Sequence, residues 1–373
     1  MKKNIIIFYP SYERGGVTKT LYNLLKSQNL KDINIHVICS LNFIRKIKKN
    51  NIFFHSYKIK RRIFFIPFRF ISAFYAMNKL KDLITKKEIN QNVIVHSMQS
   101  NIAAIITCIF TRTKIIIRNS ENSLYSAINS ENKFYGLIVF VLKFMFYNFS
   151  HGAITNSLGS AKSLGIFFFN KSKIKTIYNP IIKSINIKKY KKNNTILNIG
   201  RLRKQKDHFT LLRAFKIFSN KNRNYRLIIL GHGNLKNKLK QLTKNLNLEK
   251  KVIFKGWVKN PDKYLKKSKL FVLSSVYEGL GNVLLDAINF DTPCVSTNCP
   301  SGPDEILLNG RGGYLVRPNS PHELAQKMLY AIDNYETSNN KNKIAKSKLN
   351  RFLIKQNSTY YFNHLLTFFN DKK

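Results

Sequence analysis

At 373 residues the chain is too long for one ordinary hydrophobic core and suits two domains. A composition of 44% hydrophobic and 22% charged residues excludes a disordered or fibrous chain. Lys+Arg number 65 against 18 Asp+Glu, a formal net charge of +47, which points to an anionic partner: nucleic acid, an anionic membrane face or a phosphorylated substrate. Lys, Asn and Ile are abundant throughout, so compositional drift accounts for part of this surplus.

The N-terminal "MKKNIIIFYP" is basic and then apolar. Its apolar run is too short for a signal peptide, and it reads as a first strand over 4–10. Apolar runs at 34–40, 92–98, 114–120 and 152–157 read as further buried strands of a parallel sheet. "IKTIYNP" (174–180) closes the series at an Asn-Pro breaker. Between these strands, "KIKRRIFFIPFRFISAFYAMNKLK" (58–81) mixes basic and aromatic residues, a pattern that suits an interfacial segment on anionic lipid, a core helix with basic flanks, or a nucleic-acid face. The longest apolar stretch, 134–149, is interrupted by Lys143 and falls short of the ~20 residues of a membrane-spanning helix.

The polar "KSINIKKYKKNN" (183–194) reads as a hinge or linker. A second series of strands follows at 194–200, 225–231, 251–256, 269–275, 293–298 and 313–318, with helical patterns such as "HFTLLRAFKIF" and "LKNKLKQLTKNL" between them. Strand–helix alternation of this kind gives two doubly wound α/β domains in tandem. Ligands of such sheets bind at the carboxyl ends of the strands, and two facing sheets would share one cleft. Cys39, Cys108, Cys294 and Cys299 form no CxxC pair and have no His at zinc-site spacing, which suits reduced thiols in a cytosolic protein.

Residues with chemical potential cluster in the second half. In "NIGRLRKQKDHF" a strand ends at Gly200, and Arg201 and Lys206 follow before a helix. A planar fork and a point charge there suit a phosphate, the alternative being a solvated basic loop. "LGHGN" sets Gly231 after a strand, which permits close approach of a ligand or simply a tight turn. In "SSVYEGLGNVLLDA" Gly279, Leu280 and Gly281 form a strand-to-helix turn, and a helix beginning near Asn282 would aim free N–H groups at a diphosphate. Asn282 and Asp286 share a helix face, while Glu278 stays in the loop. Two carboxylates beside a phosphate seat would repel it, so they are expected on sugar and ribose hydroxyls. Otherwise Glu278 caps the helix and Asp286 is solvated. In "CPSGPDEIL", Asp304 and Glu305 either line a rigid loop or complement a helix dipole.

Residues 195–330, through "GRLRKQKD", "GWVKNPDKYLKKSKLFVLSSVYEGLGNVLLDA" and "STNCPSGPDEIL...GGYLV", resemble the retaining glycosyltransferases of the GT-B fold, group 1 or family 4, including enzymes that extend lipid-linked oligosaccharides. The family's E-x7-E motif corresponds to Glu278 and Asp286, the second acid one methylene shorter than usual. Gly281 stands where proline is common, and His232 replaces a frequent Asp. The resemblance implies that Arg201 and Lys206 hold the donor diphosphate, that Glu278 meets the transferred sugar and Asp286 the ribose, and that transfer is retaining and needs no metal or other cofactor. In the first half, "ERGGVTKTLYNLL" (13–25) resembles the family's glycine loop, placing Gly15 and Gly16 at acceptor and donor phosphates. His96 sits where the family often has a cleft histidine, although a lone His is equally well structural. Arg118 is expected on an acceptor phosphate, with Glu121 orienting the site or pairing with Arg118.

These readings give an expected α/β GT-B protein, two doubly wound Rossmann-like domains facing across a cleft. Residues 1–180 would bind the acceptor and 181–348 the nucleotide-sugar donor, with a helix at about 349–373 packing back on the first. The expected activity moves a hexose or N-acetylhexosamine from a UDP-linked donor to a lipid-linked or glycan acceptor on the inner membrane face, with an anionic membrane surface as partner and no nucleic acid. A nucleotide-sugar epimerase of the same fold and a basic nucleic-acid-binding protein are the alternatives.

Overall fold

The computed structural model describes residues 2–10, 15–27, 32–39, 47–57, 59, 68–90, 92–129 and 133–370. The chain divides into two compact units. The first comprises 1–156, 160–180 and 354–373, and the second comprises 157–159 and 181–353.

The first unit is built on a seven-stranded parallel sheet of order β3-β2-β1-β4-β5-β6-β7. Its strands are β1 (Lys3–Phe8), β2 (Ile33–Ile38), β3 (Ile52–His55), β4 (Val93–Ser97), β5 (Lys114–Asn119), β6 (Gly152–Thr155) and β7 (Ile174–Thr176). Strand β1 shows why the apolar runs are continuous rather than alternating. Ile5 and Ile7 enter one core with the helices Gly16–Ser27 and Ile354–Asn370, while Ile6 and Phe8 enter another with the helices Phe68–Ile84 and Asn101–Phe110. A strand covered on both faces must be apolar at every position. Strand β3 was not among the expected strands. It has only four residues and pairs solely with β2 at the sheet edge, so its pattern is too short to stand out.

The second unit holds a six-stranded parallel sheet of order β10-β9-β8-β11-β12-β13. Its strands are β8 (Asn193–Ile199), β9 (Arg226–Leu230), β10 (Val252–Gly256), β11 (Ser268–Leu273), β12 (Cys294–Thr297) and β13 (Tyr314–Val316). Its core gathers Phe215 and Phe218 of the helix His208–Lys221 with Leu227, Ile229 and Val272 of the sheet.

One expectation changes here. The stretch 183–194 is fastened to the second unit instead of hanging as a hinge. Asn186 N–H donates to Asn289 Oδ1 (2.9 Å), Tyr190 packs edge-on against Phe290, and Lys192 Nζ donates to the carbonyls of Leu265 and Phe290 and to Thr292 Oγ1. Of 58–81, residues 58 and 60–67 lie outside the described residues, and from Phe68 the chain is helical to Ile84. All four cysteines are free and buried. Among the described residues no helix is long and apolar enough to cross a membrane.

Candidate active site

In each sheet the strand order reverses once: between β1 and β4 in the first unit, and between β8 and β11 in the second. Loops leaving two adjacent strands there diverge to opposite faces and open a crevice at their carboxyl ends. In the second unit, the segments that leave β8 and β11 carry Arg201 and Lys206 on one side and Glu278 on the other.

The β8 segment runs through a short 3-10 turn, Lys204–Lys206, into the helix His208–Lys221. Asp207, at φ +40°, caps that helix by accepting from Thr210 N–H (3.1 Å). The turn directs Lys206 back across Gly200. A Cβ built on Gly200 would sit 3.3 Å from Lys206 Cγ. Lys206 Nζ forms an ion pair with Glu278 Oε1. Arg201, on the same segment, is exposed.

Glu278 is 5% exposed and is positioned from three sides. Ser275 Oγ donates to its Oε1 (2.6 Å), its own N–H donates to the Pro300 carbonyl (3.1 Å), and Lys206 supplies the charge. The two segments are also joined through their backbones. Ser274 Oγ donates to the Lys206 carbonyl (2.8 Å), Val276 N–H to the Gln205 carbonyl (2.8 Å), and Gln205 Nε2 to the Tyr277 carbonyl (3.0 Å). Sequence reasoning named neither the serines nor Gln205. The only signal was the pair of hydroxyls in "LSSVYEG", at the end of an apolar strand. A caged carboxylate of this kind keeps a fixed position and a free second oxygen edge, which suits it to accept from a hydroxyl.

Beyond Glu278, the helix Asn282–Asn289 begins directly after Gly281, as the sequence predicts. Gly281 adopts φ +85° and offers no side chain to cap the first-turn amides. Asn282 and Asp286, one turn apart, are half-buried. Gly279 and Leu280 are buried, and the Gly279 carbonyl accepts from Ser157 Oγ (2.5 Å), from the stretch that groups with this unit. Glu305 accepts from the N–H groups of Leu158 (2.9 Å) and Gly159 (3.0 Å), so it serves a more definite purpose than complementing its own short helix.

Gly231 has a structural explanation. It sits at φ +145°, and an added Cβ would come 1.8 Å from the Gly200 carbonyl oxygen; at Gly233 it would come 2.3 Å from the Leu202 carbonyl oxygen. The turns after β8 and β9 therefore abut backbone to backbone, tied by the Gly200 N–H to the Leu230 carbonyl (2.9 Å) and the Leu202 N–H to the His232 carbonyl (2.9 Å).

In the first unit two expected site residues are enclosed. His96 is 1% exposed inside the unit. Its Nδ1 faces the Ile116 carbonyl (3.1 Å) and its Nε2 faces Tyr361 Oη (2.7 Å). A carbonyl only accepts, so Nδ1 carries the proton and Nε2 accepts from the tyrosine. Burial above all, then the nearby Arg118, holds this imidazole down to about 3. With both nitrogens engaged, His96 has a structural explanation within this unit. Arg118 is 2% exposed; its Nη2 donates to Asn179 Oδ1, while its buried Nε and Nη1 have no partner among the described residues. Both residues sit on strands covered on two faces, where a long side chain points into a core. Glu121 is exposed and lies near Lys143, whose charged form burial disfavours and Glu121 only partly restores, while Arg118 donates to Asn179 instead. Gly15 and Gly16 open the helix Gly16–Ser27, with Gly15 N–H donating to Thr18 Oγ1 (3.1 Å); Glu13 and Arg14 lie outside the described residues. Among the described residues no group of three or more His, Cys, Asp or Glu is placed to hold a metal ion.

A sequence profile described as glycosyl transferases group 1 matches residues 182–348. An uncharacterized glycosyltransferase of Methanocaldococcus jannaschii is 32% identical over 308 residues, 74% of each chain. The N-acetylgalactosamine-N,N'-diacetylbacillosaminyl-diphospho-undecaprenol 4-alpha-N-acetylgalactosaminyltransferase of Campylobacter jejuni is 27% identical over 347 residues, 88% of this chain and 89% of that one. The crystal structure of Anabaena HepE in complex with UDP-glucose matches with a TM-score of 0.78 at 18% identity, covering 98% of this chain and 99% of the other. At that identity the likeness speaks for the fold, which is GT-B.

Proposed function

The chain belongs to the group 1 glycosyltransferases, and from that membership we propose that it moves a hexose or N-acetylhexosamine from a UDP-linked donor to a lipid-linked or glycan acceptor, with retention at the anomeric carbon. The observation that carries this reading is the Lys206–Glu278 pair, assembled from two neighbouring strands at the switch point of the second unit. It sets a cation and a hydroxyl-accepting acid side by side, the two recognition elements a sugar diphosphate requires. The names of the relatives support the finer points: the C. jejuni protein is a transferase acting on a diphospho-undecaprenol carrier, and HepE was crystallised with UDP-glucose.

In this reading Arg201, Lys206 and the first amides of the helix Asn282–Asn289 stabilise negative charge on the departing diphosphate. Side chains and helix amides take the place of a metal. Glu278 accepts from the transferred sugar and Asp286 from the ribose. The acceptor hydroxyl attacks from the face the diphosphate leaves: the new C–O bond forms as the anomeric C–O bond breaks, and the leaving phosphate takes the hydroxyl proton. The first unit receives the acceptor around Gly15 and Gly16. The product would enter cell-surface glycan assembly, with the enzyme peripheral on the inner face of the membrane.

The test is a panel of nucleotide sugars scored by thermal stabilisation, followed by transfer to lipid-linked acceptors and analysis of the anomeric product. Stabilisation by UDP-sugars and α-linked product from an α-linked donor are expected. Turnover of Arg201→Ala equal to the parent enzyme would remove the diphosphate clamp, and sugar epimerised without any acceptor would replace transfer with epimerisation.

A further inference from the structure

The helix Lys133–Phe146 is turned the wrong way round for a helix in water. Phe134, Leu137, Ile138, Val141, Phe144 and Met145 recur at helical spacing and form one stripe, and this stripe faces outward, with Phe134 69%, Leu137 62% and Met145 56% exposed. The charged residue of its last turn faces inward. Lys143 is buried, donates to the Ser123 carbonyl and lies 5.8 Å over the Phe167 ring. The stripe continues past the helix, where Phe144 meets the ring of Phe169, itself 81% exposed. An exposed apolar stripe this continuous marks a surface that another apolar phase covers.

We infer that this face seats the protein in the interfacial layer of an anionic lipid bilayer. It rests on the reading above only for the acceptor's place at a membrane. Two observations choose lipid over protein. Residues 101–180 carry nine Lys or Arg against two Glu, and Arg112, Lys133, Lys162 and Lys171 are exposed on or near the elements that bear the stripe. A second copy of the chain would bring a net +47 against +47, whereas an anionic leaflet attracts each basic residue near it. The helix spans ~21 Å at 1.5 Å per residue, short of the ~30 Å hydrocarbon core, so it lies along the interface and does not cross it. This places membrane contact on a segment that composition alone read only as too short to span.

Co-sedimentation with vesicles of equimolar phosphatidylglycerol and phosphatidylcholine tests the inference on the full chain, without donor or acceptor, so its outcome is independent of transfer activity. The parent protein is expected to bind these vesicles. Leu137→Gln with Phe144→Gln should lose about tenfold or more in partition, while Ile187→Gln, 91% exposed in the second unit, should match the parent. Because the four native cysteines are buried, a Val141→Cys protein can be labelled selectively with a polarity-sensitive dye, and its emission should shift to the blue on vesicle addition. Unchanged partition of the double variant, or an unmoved dye, overturns the inference. So does a parent dimer that the double variant dissolves, since a second copy would then be the occupant.

Discussion

Removing either member of the Lys206–Glu278 pair leaves a charge that the fold has largely withdrawn from water, their side chains being 18% and 7% exposed. Glu278→Gln and Lys206→Met are each expected to lower stability by ~3 kcal/mol and to reduce turnover ~100-fold or more. The double variant should recover most of the stability and none of the turnover. Urea unfolding beside a transfer assay separates the two effects, and singles as stable as the parent would show that the pair is not desolvated. At Gly231 the expectation is purely structural. Gly231→Ala meets the Gly200 carbonyl at a φ that side chains rarely adopt, and should cost more than ~2 kcal/mol. A melting temperature equal to the parent's would mean that the two turns separate easily. The sequence exposed the charged residues of the site and the glycines. It did not expose Ser274 or Gln205, because a hydroxyl or an amide becomes a positioning group only when folding sets it against a carbonyl far along the chain, and Ser275, three residues from Glu278, becomes one only when the loop turns the two side chains together.

The C-terminal helix Ile354–Asn370 shows how one element completes another's core. Tyr361, Phe362 and Leu365 are buried among Ile5, Ile7 and Ile94, and Tyr361 holds the neutral form of His96. Tyr361→Phe should cost ~1–2 kcal/mol by leaving Nε2 of His96 unsatisfied. Differential scanning calorimetry that finds the variant unchanged would show a water replacing the hydroxyl. Such a helix is legible as amphipathic from its sequence, but its address on the first unit is expected only from the family resemblance, since nothing local says which sheet it covers. The same limit explains the helix Lys133–Phe146. Its apolar periodicity is plain to read, yet whether the stripe faces a core or the outside depends on Lys143 finding Ser123 and Phe167 within the unit.

At the scale of the whole molecule, His96 and His208 tie stability to pH. Burial above all, then Arg118 for one and Lys206 for the other, holds both imidazoles at about 3 against an ordinary 6.5. Below the ordinary value the unfolded chain binds protons that the folded chain refuses. Stability should therefore be insensitive to these groups above about pH 6.5 and fall as pH drops below it, by up to ~1.4 kcal/mol per pH unit for each histidine. Urea unfolding between about pH 7 and pH 5 checks this, and a flat profile would mean that both rings accept a proton while folded.

By itself the sequence determined the two doubly wound sheets, because continuous apolar strands alternating with amphipathic helices admit few other solutions. It also brought out the cations, glycines and acids of the second unit, because they lie within short segments at strand ends. The tertiary structure alone decided that Lys206 meets Glu278, that His96 and Arg118 are enclosed, and that an apolar helix face is left outside. Each of those depends on partners distant in the chain, and burial of a side chain is a property of the packed neighbours around it that no local pattern of residues encodes.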